Sequence, residues 1–250
     1  MREEAEMSQE APRDPMLQTA SKWLRWSKWG LYPTAVLVLA ALYGAFVYAP
    51  TERQMGEVQR IFYFHVGAAA DAFLAFFVVF AAGILYLIRR NPIWDQLAAA
   101  SAEVGVLFTT VVLTTGPVWA KPVWNTWFPW GDPRIMTTLV LWLIYLAYLI
   151  LRSSLPEGDR RSRICAVFGI IGFLDVPIVW MSIRWWRSIH PVVITSSGAS
   201  LEPRMRQALM LAIFACLSLL AVLVLLRSSL RIHNLVLQQL AQEQLDKRRI

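Results

Sequence analysis

Apolar residues fall along this chain in six blocks, separated by short polar segments rich in Arg, Pro and Trp. The blocks cover roughly residues 31–49, 64–88, 97–118, 135–151, 164–183 and 207–226. A bilayer core about 30 Å thick is crossed by about 20 helical residues. Each block is therefore predicted to be a transmembrane helix, and the chain an all-α integral membrane protein with six spans. Residues 1–22 are charged and predicted to be disordered. Trp23, Trp26 and Trp29 then alternate with Lys22, Arg25 and Lys28, the pattern of an interfacial anchor. This divides the chain into an N-terminal tail (1–30), a membrane domain (31–226) and a C-terminal tail (227–250). In the C-terminal tail Leu230, Val236, Leu237, Leu240 and Leu245 form an apolar stripe. That stripe suits docking on a partner or on the membrane surface, and a solvated extension of the sixth span equally well.

Composition agrees with the pattern: 57% of residues are hydrophobic, against roughly 45–50% in soluble domains. The net charge of +7 does not point to nucleic acid, because its Lys and Arg sit in the short segments that set topology. Of 24 such residues, 16 lie in the two tails and in the second–third and fourth–fifth loops. The positive-inside rule makes those segments, and both termini, cytoplasmic. The remaining loops then face the periplasm of a bacterial cytoplasmic (inner) membrane. Cys165 and Cys216 lie within apolar blocks and form neither a CxxC nor a CxxCH motif. No cleavable signal peptide is expected, since the first 30 residues lack an early apolar region. Asp71, Glu103 and Asp175 fall inside spans, where an ionisable residue costs about 2.5–3.5 kcal/mol on insertion scales and marks either function or an interhelical bond. Pro177 is expected to kink the fifth span.

The predicted outer face collects unusual chemistry. Trp119, Trp124, Trp127, Phe128 and Trp130 fall within twelve residues, interleaved with Lys121 and followed by Asp132 and Arg134. Two of the three histidines share that face: His65 opens the second span and His190 follows the fifth, while His233 is read as a solvated tail residue. On a helix His65, Ala68, Ala69 and Ala72 share one side, a wall of small residues beside an imidazole. A lone interfacial histidine is as readily an amphipathic end cap, but two beside a plate of indoles suggest a broad planar ligand. Haem fits: its iron takes imidazoles on both axial sides, its macrocycle is apolar, and its propionates suit basic residues. Candidate propionate partners are Lys121, Arg134, Arg184 and Arg187. Zinc fits less well, as it takes three or four close ligands.

At these residues the chain resembles a known family. The stretch GPVWAKPVWNTWFPWGDPR is similar to the WGxWWxWDxR pattern of the CcmC-type haem-handling proteins of bacterial cytochrome c maturation, which belong with CcmF and CcsA to a superfamily carrying a WWD domain. RIFYFHV and IRWWRSIHP resemble the segments bearing that family's two haem-ligating histidines, and the likeness covers roughly residues 25–227. Two departures stand out: Phe128 replaces a Trp, and Gly131 separates Trp130 from Asp132.

The resemblance implies haem b held at the periplasmic face, with His65 and His190 as axial ligands and no other metal. It sets Trp119, Trp124, Trp127, Phe128 and Trp130 against the ring. Lys121, Asp132, Arg134, Arg184 and Arg187 become propionate or loop contacts. It further implies presentation of haem to the periplasmic chaperone CcmE, within an ABC-type complex containing the ATPase CcmA, its membrane partner CcmB and the small protein CcmD. On this view the chain is not an enzyme, and ATP is hydrolysed by a partner. A bis-histidine, cytochrome b-like redox subunit is the alternative. A haem-attaching synthetase is a weaker one, because it needs further histidines on this face.

Overall fold

A computed structural model describes residues 15–190 and 201–249. Its helices are α1 (Pro15–Tyr43), α2 (Arg60–Arg89), α3 (Pro92–Trp124), α4 (Pro133–Ser154), α5 (Asp159–Gly172), α6 (Asp175–Trp185) and α7 (Pro203–Arg249). Among the described residues six segments are long and apolar enough to cross a membrane, α5 and α6 together forming one of them. The described residues contain no strand, only an isolated bridge between Glu52 and Gly56. The all-α, six-span reading of the sequence is the observed architecture, and the chain is a multi-pass membrane protein.

The arrangement follows from which helices bury most. In α2 and α3, 44% and 50% of the apolar window is buried, against 17% in α4 and 22% in the α1 segment, so α2 and α3 form the centre. They pack along each other, with α7 on one side and α4 and α5 on the other. Tight approach is achieved through glycine. A Cβ at Gly105 would lie 2.5 Å from the Phe76 ring, and one at Gly67 would lie 2.7 Å from Cys216 Sγ. Phe76 in turn stacks flat on Tyr145, 3.7 Å between centroids, which carries the core from α2 into α4.

α1 packs chiefly on α7. Its buried residues Ala20, Ser27, Thr34 and Ala41 recur every seventh position, a small-residue seam at coiled-coil spacing. The two helices run antiparallel: Ser229 Oγ donates to Ala20 O (2.7 Å) near one end and Tyr48 OH to Gln207 Oε1 (2.6 Å) near the other. This seam explains why residues 15–22, read from the sequence as disordered, are helical from Pro15 (residues 1–14 of that tail lie outside the described residues), and why Trp26 and Trp29 sit on a continuous helix with their rings exposed. α7 likewise runs on without a break to Arg249, so the stripe of Leu230, Leu237, Leu240 and Leu245 lies on the extended last helix, exposed. His233 is half-buried there, its Nδ1 2.8 Å from Ser229 O.

Interruptions have local causes. The fifth span breaks at Phe173–Leu174, and Phe173 is the residue whose carbonyl Pro177 would otherwise crowd four positions on; Val176 N–H donates to that carbonyl instead (3.0 Å). α3 starts on an Asn91 cap, whose Oδ1 accepts from Ile93 N–H (2.9 Å), with Pro92 at the first position. Near that end a polar network ties three helices. Arg152 donates to both oxygens of Asp95 (2.7 and 2.6 Å), Gln96 bridges Asp95 to Arg231, and Glu103 takes Arg231 (2.6 Å) and Arg227. Of the three acidic residues within spans, Glu103 is thus ion-paired. Asp71 is fully buried with neither oxygen bonded, and Asp175 Oδ2 is also buried without a partner among the described residues.

Candidate functional site

The cavity of interest lies at the bundle end opposite this network, and His65 forms part of its wall. α2 begins five residues before His65, which is 8% exposed. Its Nδ1 lies 2.8 Å from Thr115 Oγ1 on α3, and that hydroxyl donates its own proton to Val111 O (2.7 Å). With the hydroxyl proton on Val111 O, Thr115 accepts from the ring, and the imidazole then carries its proton on Nδ1 and its lone pair on Nε2. Beside the imidazole stands Gly116, where an added Cβ would sit 3.6 Å from the ring.

α3 continues through Pro117 and Pro122 to Trp124 and ends on Asn125 in the left-handed conformation, φ 54. Trp119 and Trp124 are therefore held on the last helical turns rather than on a loop. Their rings pack 4.9 Å apart. Trp119 lies nearly perpendicular to His65, centroids 6.4 Å apart and planes at 84°, and Trp124 is 6.3 Å from His190. Trp119 is buried, yet its Nε1 has no acceptor among the described residues. The loop that follows places Trp127 and Phe128 in the cavity wall; Trp130 packs on Phe128 (4.6 Å) outside the lining and is 71% exposed.

The charged candidates separate by position. Arg134, half-buried at the start of α4, and Arg184, exposed near the end of α6, both line the cavity. Arg184 also lies over the Trp180 ring, 6.0 Å from its centroid. Lys121 points elsewhere: its ammonium donates to Asn125 O (3.3 Å) and Oδ1 (3.2 Å), closing the C-terminus of α3. Arg187 is exposed and outside the lining. Asp132 is buried and also outside it, capping α4 and bonded to the segment before His190.

His190 is brought opposite His65. The ring centroids are 6.5 Å apart, with planes 31° from parallel. Two metal–nitrogen bonds of about 2 Å plus the half-widths of two imidazoles come to roughly 6–6.5 Å, so the pair is spaced to share one metal centre. Among the described residues no group of three His, Cys, Asp or Glu could hold a metal ion. Below the histidines the cavity, about 300 Å³, reaches Phe73 on α2 and Leu141 on α4, roughly 10–12 Å deep at the helical rise per residue. Its walls are aliphatic and aromatic, with Leu209, Met210 and Ile213 of α7 closing one side. Two imidazoles 6.5 Å apart, an apolar slot, indoles and two guanidiniums in its wall can together hold a flat apolar molecule with a metal at its centre and anionic groups on its edge.

Sequence reasoning did not single out Thr115 or the α7 wall, nor Ser188, whose role depends on Asp132. Thr115 lies 50 residues from His65 and Ser188 lies 56 from Asp132. Only the docking of one helix on another reveals such pairs.

Comparison with known proteins gives a consistent picture. A model of the family "Heme exporter protein C" matches residues 9–244. The chain is 33% identical over 202 residues to Heme exporter protein C of Escherichia coli (strain K12), covering 81% of this chain and 80% of that protein. It is 32% identical over 176 residues to the protein of the same name from Bradyrhizobium diazoefficiens, with 70% and 66% covered. A putative cytochrome c biosynthesis ccmC-like mitochondrial protein of Marchantia polymorpha is 32% identical over 167 residues, with 66% and 70% covered.

Proposed function

The chain belongs to the Heme exporter protein C family, and from that premise we propose that it handles haem for cytochrome c maturation, binding haem b as cargo between His65 and His190. The observation that carries this reading is the 6.5 Å spacing of the two imidazoles at the mouth of an apolar cavity. The Thr115 bond supports it by leaving Nε2 of His65 with the lone pair that a ligand nitrogen needs. Trp119 packs edge-on against both imidazoles and Trp124 packs tilted against His190, which restrains the two rings, and Trp127 and Phe128 supply apolar surface for the macrocycle. Arg134 and Arg184 are the cations at the cavity wall and take the propionates. The unpaired Trp119 Nε1 is one further donor.

The distribution of Lys and Arg favours cytoplasmic termini and a periplasmic cavity mouth in a bacterial inner membrane. From there the haem passes to the chaperone CcmE, and the chain works beside CcmA, CcmB and CcmD. ATP hydrolysis in that assembly belongs to CcmA. A cytochrome b-like redox role is less well supported: the histidine pair lies at one end of the bundle, and the other described histidine, His233, lies far along α7.

The test is an absorption spectrum of protein purified from haem-replete membranes, with His65→Ala, His190→Ala and His233→Ala alongside. Bound haem b is expected in the wild type and in His233→Ala, with haem lost or its spectrum altered in the other two. Colourless wild-type protein would overturn the proposal. Haem-loaded CcmE recovered with the wild type separates cargo handling from electron transfer.

A further inference from the structure

Asp132 has the residue type least suited to touching haem, since a carboxylate repels propionates, and the structure gives it other work. It is 5% exposed. Oδ1 accepts from the backbone N–H groups of Arg134 (3.0 Å) and Ile135 (3.2 Å), capping α4. Oδ2 accepts from Ser188 Oγ (2.6 Å) and Ile189 N–H (3.0 Å). Ser188 Oγ in turn accepts from His190 N–H (3.0 Å). Three consecutive residues, ending on the histidine, are thus tied to one carboxylate 56 positions earlier in the chain.

We propose that Asp132 is a positioning residue: through Ser188 and Ile189 it holds the His190 imidazole opposite His65. The proposal deepens the haem reading and rests on it. α6 ends at Trp185, and Trp186 is already extended (φ −126, ψ 159), so helical structure no longer directs the chain at His190. The clasp supplies that direction with a charge-assisted hydroxyl bond and a backbone bond, the stronger class of hydrogen bond. One side chain also sets two distances at once. The oxygen that caps α4 fixes Arg134 in the cavity wall, and the other fixes His190, so the cation and the axial imidazole share a single reference point. A partner that orients a metal ligand in this way is typically worth 10–100-fold in metal affinity.

The substitutions that test this spare the α4 cap. Asp132→Asn keeps the capping oxygen but turns an amide N–H₂ toward Ile189 N–H, donor against donor. Ser188→Ala removes one strand of the clasp without touching α4, and Ser188→Thr keeps the hydroxyl. In purified protein loaded with haem, the wild type and Ser188→Thr are expected to give a six-coordinate low-spin spectrum. Asp132→Asn and Ser188→Ala should retain haem through His65 with a five-coordinate high-spin component that free imidazole converts to low spin, and should lose haem to an acceptor globin roughly tenfold faster. Hydrogen exchange in haem-free protein is the independent readout: the peptide covering Ser188–His190 should exchange faster in Asp132→Asn and Ser188→Ala than in wild type or Ser188→Thr. Unchanged spectra, haem loss and exchange in both variants would overturn the clasp while leaving haem binding intact. Wild-type protein that takes up no haem would overturn the underlying reading, and the exchange comparison then decides the clasp by itself.

Discussion

Thr115 Oγ1 lies 2.8 Å from His65 Nδ1 and 2.7 Å from Val111 O, so the hydroxyl can accept from the ring while its own proton stays on the helix. A ligand histidine with its outer nitrogen engaged in this way is more basic at the inner one and cannot rotate freely. Thr115→Val preserves shape and removes the acceptor. Haem affinity is expected to fall about 10–100-fold, whereas Thr115→Ser keeps the hydroxyl and should stay near wild type. Competition titration against an apo-globin measures both. Equal affinities for the valine variant and wild type would show that the bond does not tune the ligand.

The buried Asp95–Arg152 pair holds the opposite end of the bundle and has no contact with the cavity. Removing one partner leaves the other charged and buried, a loss of about 3–5 kcal/mol. Arg152 is already short of one acceptor at Nε, so Asp95→Ala should sit toward the upper part of that range. Thermal unfolding in detergent should show a clearly lowered midpoint. The haem spectrum of the fraction that remains folded should match wild type, because neither residue reaches the histidines.

Glycines that look alike in sequence differ in what they hold apart. At Gly105 a methyl group would enter the buried Phe76 ring, which is itself stacked on Tyr145. Gly105→Ala is expected to cost about 1–3 kcal/mol by overpacking. Gly131, which interrupts the aromatic motif, has nothing within 4 Å of an added Cβ, and Gly131→Ala should stay within about 0.5 kcal/mol of wild type. Paired unfolding measurements on the two variants check the contrast.

The parts of this structure legible in the sequence are those with a local signature. Six apolar blocks gave six spans, and the histidine and tryptophan positions that the cavity assembles could be named beforehand. Less legible was anything set by docking. The third apolar block ends near residue 118, yet α3 runs through Pro117 and Pro122 to Trp124, and the Trp119 ring packs against His65, Trp124 and His190. The heptad of small residues in α1 is invisible as hydrophobic periodicity because Ser27 and Thr34 belong to it. It matters only because α7 lies against it. Thr115 carried no signal of its own among four threonines on one helix, since its role depends on the register between α2 and α3.

Arg134 and Lys121 bracket the same aromatic segment with the same charge, and the structure gives them different tasks. Arg134 lines the cavity, while the Lys121 ammonium is spent on Asn125 at the end of α3. If Arg134 meets a propionate, Arg134→Gln removes a charge-assisted bond worth about 1.5–3 kcal/mol, roughly tenfold or more in affinity. Lys121→Gln should change haem affinity little. The comparison with haem dimethyl ester isolates the contact: wild type and Lys121→Gln should bind haem more tightly than the ester, and Arg134→Gln should lose about tenfold of that preference, the remainder belonging to Arg184. A full preference for free haem retained in Arg134→Gln would assign the propionates to other donors, with Arg184 and Trp119 Nε1 the next to be tested.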